Sequence, residues 1–391
     1  MNIFVLSELS SENNHVGWSV SHSLEETLAS ACQAQFIYPY WNGHTSTNLF
    51  PDAVDQQVSF LNRCRNRLLK SWYTVEVWPE LGPGLNILLV VGIRPKFLLS
   101  MFALGPVLDQ FDLRIGYLLD GFDPRYMNQP PLTKLDHLFV ISNQLADEVR
   151  SRYSVNVSWL PLGINTLAWG NYSTHRSIDI MGYGRMNEAV HSQLQPHFNQ
   201  ADRDRIYFHS TFTCTGVANP KEHIALQIKL LKRSKINLCF EASNIPRFCG
   251  HSPLLYRWLE GWAAGSAIVG TKPRDPEVAA LMDWPNSTLE LPAKPEEWIP
   301  FLETLLDDEA KLAEISHRNY RECRLRHDWR YRLRDLFTMM HLPMPQALEQ
   351  ELAEIRQCLG LSEKVQDGPR VLEEIPQPVE MHEFQGLRSR Y

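Results

Sequence analysis

The chain has 391 residues, of which 44% are hydrophobic and 21% are charged. This composition is typical of a soluble globular protein and excludes disordered and collagen-like chains, and the length favours two domains. The 38 lysines and arginines against 45 aspartates and glutamates give a net charge of −7, which argues against a protein that coats itself with nucleic acid.

The shortness of the apolar runs and the scattered positions of the cysteines favour a cytoplasmic protein. The apolar run 3–6 lacks a basic start and is too short for an export signal. The longer apolar stretch 97–108 is broken by Gly105 and Pro106 and is too short to cross a bilayer. The seven cysteines are scattered and form no Cys-x-x-Cys pair, so we expect neither a disulfide framework nor a zinc knuckle.

The first part of the chain alternates predicted strands with predicted helices. Apolar runs that suit strands occur at 2–6, 35–38, 87–91, 113–119, 137–141 and 157–160. Helical periodicity occurs at 21–32, with a Leu24 and Leu28 stripe, and again at 144–153. This alternation predicts a parallel sheet covered by helices.

After a polar stretch at 165–176 the alternation starts again. The predicted strands are 178–183, 206–209, 236–241 and 267–270, and the predicted helices are 188–197, 221–233 and 252–264. From residue 313 to about 340 the chain is helical and rich in arginine, and a further helix at 347–359 leads into a polar tail. Two such sheets predict a cleft, with ligands at the carboxyl ends of the strands.

Three segments resemble a known family when they are taken in order. They are LDHLFVISNQLADEVRSRYSVNVSWLPLGIN at 135–165, IDIMGYGRMNEAVHSQL at 178–194 and SKINLCFEASNIPRFCGHSPLLYRWLEGWAAGSAIVG at 234–270. Together with HDWRYRLRDLF at 327–337, they resemble the family 4 glycosyltransferases with the GT-B fold, including the spore-maturation-type or family 1-like branch. The resemblance spans most of residues 1–340.

The resemblance implies an α/β protein of GT-B architecture, with two Rossmann-like domains facing a central cleft and C-terminal helices crossing back to the N-terminal domain. It implies an acceptor domain at 1–164, a nucleotide-sugar donor domain at 177–325, a closing helix at 326–343 and a helix with a polar tail at 344–391. The implied activity is hexosyl or related glycosyl transfer from a nucleotide sugar to a hydroxyl of a sugar, lipid-linked, small-molecule or protein acceptor.

The segment around Ser252 predicts a phosphate site from its residues alone. Ser252 before Pro253 is typical of a helix N-cap followed by the favoured first-turn proline, so we expect free N–H groups at this helix start. Gly250 would let a diphosphate approach the backbone, and Arg247 would add a bidentate contact. The predicted donor contacts in this segment are Arg247, Gly250, His251, Ser252, Pro253 and Leu254.

Glu260 and Arg185 complete the predicted donor site. Glu260 lies eight residues after Ser252, just over two helical turns, so both are expected to face one ligand. The resemblance implies that Glu260 holds the nucleotide ribose and that Arg185 contacts the donor diphosphate. The family's first acid of its Glu-x7-Glu pair is Ser252 here, which leaves the retaining outcome open. On the residues alone, Glu260 is equally a surface acid of an amphipathic helix.

The acceptor side is predicted near two loops of the first domain. Asp120 follows the strand at 113–119 and is placed to orient or deprotonate a hydroxyl, the alternative being a loop-shaping Asp-Gly turn. His15 is a second candidate base, the alternative being a solvated histidine. The resemblance implies that Gly17 and Trp18 belong to a loop that reaches the donor diphosphate and the acceptor.

Two other motifs are read as structural. Asp202-Arg-Asp204 resembles the metal-binding motif of the other main glycosyltransferase fold, but it precedes a strand instead of ending one, so we expect no obligatory metal and no cofactor. Gly182-Tyr-Gly184 half-matches a dinucleotide fingerprint whose third glycine is Asn187 here, so an NAD(P)-dependent oxidoreductase is the third hypothesis.

The second hypothesis is a non-catalytic protein that binds a nucleotide sugar or a partner, because the first acid of the Glu-x7-Glu pair and a lysine that contacts the diphosphate are missing.

A basic, aromatic-tipped block has two interpretations. It is either a solvated helix face or a peripheral contact with the inner membrane face. Its members are Arg63, Arg65, Arg67, Lys70, Trp72 and Tyr73.

Overall fold

The computed structural model describes residues 1–8, 16–41, 64, 68–69, 72–127, 130–184, 187–209 and 219–361. Within these ranges the chain forms two parallel sheets, one of six strands and one of five. No helix in the described ranges has the length and apolarity that a bilayer span needs.

The first sheet has the strand order β2-β1-β5-β6-β7-β8, and a separate antiparallel pair is formed by β3 and β4. The strands are β1 (Asn2–Ser7), β2 (Gln35–Ile37), β3 (Tyr40–Trp41), β4 (Tyr73–Thr74), β5 (Asn86–Gly92), β6 (Leu113–Leu118), β7 (His137–Val140) and β8 (Val157–Trp159). The central strand β5 is buried along its whole length, as a parallel strand covered on both faces should be.

Helices cover both faces of this sheet because successive strand residues point to opposite sides. Val5 lies in one core cluster with Leu24 of α1 (Ser19–Cys32), whereas Phe4 lies in another with Val149 of α2 (Asn143–Arg152). The apolar stretch predicted to be too short for a membrane forms short 3₁₀ turns over Pro95–Gln110, interrupted at Gly105, and packs into the second of these clusters.

The second sheet has the order β10-β9-β11-β12-β13. Its strands are β9 (Ile178–Gly182), β10 (Tyr207–His209), β11 (Ser234–Phe240), β12 (Ala267–Thr271) and β13 (Leu289–Glu290), and its helices are α3 (Glu188–Phe198), α4 (Pro220–Lys232), α5 (Tyr256–Ala264), α6 (Pro276–Ala280) and α7 (Trp298–Asp307). Along the chain, the strands of the first sheet precede the predicted polar stretch at 165–176 and those of the second sheet follow it. The exact bounds of the domains stay predictions.

The last helices are α8 (Glu309–Arg326), α9 (Trp329–Met339) and α10 (Gln346–Cys358). Asp328 caps α9 and accepts hydrogen bonds from the backbone N–H and the hydroxyl of Thr166 at 2.8 and 2.5 Å. Glu351 of α10 accepts from Arg330 at 2.6 Å and from Ser30 of α1 at 3.2 Å. The C-terminal helices therefore cross back to the first domain, as the GT-B prediction requires.

The helix predicted at 252–264 is shorter than expected. It begins at Tyr256, and the residue before it, Leu255, has φ −79° and ψ 154° and provides no side-chain cap. The prediction that Ser252 is the N-cap and Pro253 the first helical residue is therefore wrong.

Candidate functional site

The loops at the carboxyl ends of the two sheets meet across a cleft. Arg247, in the loop after β11, donates from Nη1 to Oδ2 of Asp120, which follows β6, at 2.7 Å. Beside this pair, the Phe122 and Phe248 rings lie 4.6 Å apart. The structure thus brings together a predicted acceptor-side carboxylate and a predicted donor-side arginine, and each neutralises the other.

His251 fastens the same loop to the first domain. Its Nδ1 lies 3.3 Å from the hydroxyl of Ser142, which also caps α2, and its Nε2 lies 3.3 Å from Glu148. The imidazole is buried. His251 is therefore a contact between the domains in this conformation.

Ser252 is held by residues that the sequence does not place near it. Its hydroxyl donates to Glu241 at 3.2 Å and accepts from the backbone N–H of Arg274 at 2.9 Å. Glu241 is itself buried and also accepts from the Ser243 N–H at 2.7 Å. This network removes the Ser252 hydroxyl from helix capping, which is the physical reason why the predicted helix start is wrong.

Gly250 is the point of this loop at which a ligand could approach the backbone closely. Gly250 is exposed, has φ 88°, and a Cβ there would meet no atom within 4 Å, so a ligand has access to its backbone. Pro253 and Leu254 are buried in the extended segment before α5. Their side chains therefore face the protein and not the cleft.

Glu260 is a buried acid whose two oxygens are both occupied. Oε2 accepts from the Tyr183 hydroxyl at 2.6 Å, and Oε1 accepts from the Gln227 amide at 2.9 Å. Its exposure is 5%, and burial raises the pKa of its carboxyl to about 7. Glu260 is not a surface acid, and Ser252 lies outside α5, so the two residues are not separated by two turns of one helix.

A small cavity at Glu260 lies between the domains. Its volume of about 30 Å³ has room for roughly two water molecules. The polar side chains that line it include His22, Ser23, Glu26, Gln227, Tyr256 and Glu260. The first three belong to α1 and the others to α4 and α5, so a change in the angle between the domains changes the size of the cavity.

A basic residue that the sequence reasoning missed lies beside the turn after β9. The Arg257 guanidinium lies 5.8 Å from the centre of the Tyr183 ring, and a Cβ on Gly184 would meet Arg257 Nη2 at 2.9 Å. Tyr183 is the last residue of the predicted strand 178–183, and ligands bind at the carboxyl ends of parallel strands, so this position is a signal that could have marked it. Gln227 has no such signal, because only the packing of α4 brings it to Glu260.

The other predicted residues lie in different environments. Gly17 is exposed and Trp18 is 1% exposed, in a turn (Val16–Trp18) that packs against α4. Arg185 and His15 lie outside the described residues, as do the basic side chains 63, 65, 67 and 70. Tyr73 packs edge-on against Trp41 and Phe97, so it is not an exposed aromatic tip.

Asp202 and Asp204 are exposed in the loop before β10, as expected for a polar loop. In the part of the chain that the structure describes, no group of three or more His, Cys, Asp or Glu side chains is arranged to hold a metal ion.

Comparison with known proteins bears on the domain that contains Glu260. Residues 197–338 match the family model described as "Glycosyl transferase-like". The chain is similar to the structure of Anabaena Alr3699/HepE in complex with UDP and glucose, with a TM-score of 0.53 and 10% identity over 87% of this chain and 100% of that one. The fold is GT-B.

A trehalose-6-phosphate synthase, OtsA, is similar at a TM-score of 0.46 and 10% identity, over 91% of this chain and 99% of that one. No curated protein matches the chain.

Proposed function

We propose that this protein is a glycosyltransferase that transfers a sugar, of the hexosyl or a related type, from a nucleotide-sugar donor to an acceptor hydroxyl. The observation that carries the proposal is Glu260, a buried acid between two GT-B domains, within the segment that matches the glycosyl transferase-like family. The similar HepE structure contains UDP and glucose, which supports the same class of donor.

The donor would lie on the second domain. Glu260 accepts one O–H and one N–H group in this structure, and two ribose hydroxyls would offer two O–H donors to the same two oxygens. Arg247, Arg185 and the exposed backbone of Gly250 would bind the diphosphate. Because guanidinium groups and backbone N–H groups stabilise the charge of a leaving diphosphate, the proposed reaction proceeds without a metal.

The acceptor would enter from the first domain. Asp120 lies at the carboxyl edge of that sheet and is proposed to orient or deprotonate the acceptor hydroxyl. Gly17 and Trp18 would border the same space, and His15 is the second candidate base. Opening of the ion pair between Arg247 and Asp120 would present the whole guanidinium to the donor and would free the carboxylate for the acceptor.

Nucleotide binding tests the proposal directly. A thermal-shift panel of UDP, GDP, ADP, CMP and dTDP should show stabilisation by at least one, worth about 2.7 kcal/mol at 100 times its dissociation constant. Glu260→Ala should weaken the binding of that nucleotide, whereas Glu296→Ala, which removes an exposed acid of the same domain, should not change it. No response to any of the five, or unchanged affinity in Glu260→Ala, would contradict the donor site.

A non-catalytic protein with the same fold is the second candidate. The observation that favours it is that the acid expected at position 252 is a serine engaged by Glu241 and Arg274. Release of free nucleotide from UDP-glucose and other nucleotide sugars, followed over hours, separates the two. Turnover supports the enzyme, and tight binding without turnover supports the binding protein.

We also propose contact with an anionic membrane through the segment 63–73. Leu68 and Leu69 are 83% and 61% exposed beside the basic residues of this segment. Cosedimentation with phosphatidylglycerol vesicles but not with phosphatidylcholine vesicles is the expected result, and Leu68→Asp with Leu69→Asp should abolish it.

A further inference from the structure

One face of α1 forms the first-domain wall of the cavity at Glu260. Ser19, His22, Ser23 and Glu26 line it, and their spacing of three and four residues places them on one side of the helix. This polar face of α1 therefore lies opposite the wall of the cavity that the second domain forms. Neither wall alone encloses the cavity.

The polar groups on this face differ in their partners. The Ser23 hydroxyl accepts from the Asn165 N–H at 3.0 Å and from the Trp329 indole at 3.1 Å. Glu26 accepts from the Asn165 amide at 3.5 Å. Among the described residues, the buried Nε2 of His22 has no hydrogen-bond partner. An unsatisfied buried nitrogen costs free energy, so its position needs an explanation such as a water or a ligand.

The charge state of His22 suits a neutral polar ligand. Burial lowers the pKa of its imidazole, and the nearby positive charge of Lys221 lowers it further. The neutral ring has one N–H donor and one lone pair, and a hydroxyl matches either. An anionic phosphate would gain less from this ring than from an arginine.

The opposite wall points to a pair of hydroxyls. Both oxygens of Glu260 accept hydrogen bonds, one from the Tyr183 hydroxyl and one from the Gln227 amide. The vicinal diol of a ribose presents two O–H donors, one for each oxygen of the carboxylate. The cavity of about 30 Å³ holds only water-sized groups, so a ribose must displace them and widen the gap between the domains.

We propose that His22 is a first-domain ligand of the donor nucleotide, hydrogen-bonding a ribose hydroxyl that Glu260 holds from the second domain. This inference rests on the proposed function. It makes the ribose pocket a site shared by both domains, so nucleotide binding reports on domain closure.

The test measures the affinities of UDP, GDP and ADP, and of their 2′-deoxy and 3′-deoxy forms, by calorimetry. His22→Phe keeps an aromatic ring without polar atoms and should weaken binding of the ribonucleotide by about three- to tenfold, the range for one lost hydrogen bond. It should also reduce the penalty for removing one of the two hydroxyls. His22→Gln places an amide near the Nε2 position and should restore most of the affinity.

His137→Phe is the matched control, because His137 also has a buried Nε2 without a described partner. His137 lies at the amino end of β7, whereas the cleft lies at the carboxyl ends of the strands. His137→Phe should leave nucleotide affinity unchanged, and circular dichroism should show that all three variants are folded. If the wild type and His22→Phe bind the nucleotide equally, the role of His22 is wrong while the glycosyltransferase proposal stands. If none of UDP, GDP and ADP binds the wild type, the role of His22 is wrong, and the glycosyltransferase proposal is also wrong if CMP and dTDP fail to bind as well.

Discussion

At the scale of single residues, two acids with raised pKa values make the stability of the protein depend on pH. Burial raises the pKa of both Glu260 and Glu25 to about 7, from 4.5. In the unfolded chain both would lose their protons near pH 4.5, whereas in the folded chain they keep them until about pH 7. The folded state therefore binds more protons between these values, and the free energy of unfolding falls as pH rises through this window.

Glu260→Gln should remove this pH dependence in part, because a glutamine stays neutral at every pH. From pH 5 to pH 8 the wild type should lose up to about 3 kcal/mol of stability relative to Glu260→Gln, since each pKa unit corresponds to about 1.4 kcal/mol. Urea unfolding at four pH values measures it. Glu25→Gln should show a similar trend and the exposed Glu296→Gln none, and parallel curves for the wild type and Glu260→Gln would contradict the raised pKa.

At the scale of elements, the position of Glu260 depends on how closely α5 packs on the second sheet. A Cβ on Gly261 would lie 2.7 Å from Asn237 Nδ2 on β11 and closer still to Ile268 Cδ1 on β12. Both atoms are side-chain ends, so a larger residue requires that these side chains or the helix move. Since Glu260 precedes Gly261, any shift of α5 also shifts the carboxylate away from Tyr183 and Gln227.

Gly261→Ala should therefore destabilise the protein by about 1 to 3 kcal/mol, the usual cost of overpacking, and should weaken nucleotide binding as well. Chemical denaturation and calorimetry measure the two effects. Gly360→Ala is the control, because a Cβ there meets no atom within 4 Å. Its only expected cost is the backbone strain of an alanine at φ 68°, which lowers the free energy of unfolding by about 1 kcal/mol. A stable Gly261→Ala variant with normal nucleotide affinity would show that α5 tolerates the displacement.

At the scale of the whole molecule, the Asp120 and Arg247 pair connects two domains through side chains 127 residues apart in the chain. The side chains are 28% and 44% exposed, so the pair contributes at most about 1 kcal/mol to stability. Its effect on binding is larger in principle, because the Asp120 carboxylate competes with a diphosphate for the Arg247 guanidinium.

Asp120→Asn should strengthen the binding of a nucleoside diphosphate by about two- to fivefold, since it removes the anion that competes for the guanidinium, while sugar transfer should fall. Arg247→Ala should weaken nucleotide binding. Arg125→Ala is the control, because Arg125 pairs with Asp123 within its own loop. Weaker nucleotide binding by Asp120→Asn would contradict the competition between the two ligands.

The alternation of strands and helices was readable from the sequence because buried parallel strands are continuous apolar runs. β5, buried on both faces over Asn86–Gly92, is the clearest example. The same reading predicted two parallel sheets and most of α5, with Glu260 on it, whereas the GT-B architecture came from the resemblance to a known family. These features depend on residues close together in the chain, so local sequence is sufficient to predict them.

Only the tertiary structure decided where the site's polar groups make their bonds. Ser252 has the sequence of a helix cap, but Glu241 and Arg274, 11 and 22 residues away, take its hydroxyl, so the helix begins at Tyr256. Glu260 accepts hydrogen bonds from Tyr183 and Gln227, which belong to separate parts of the second domain. A buried hydrogen bond forms with whichever partner folding brings within about 3 Å, and that partner is set by the packing of whole helices and sheets, which no local pattern contains.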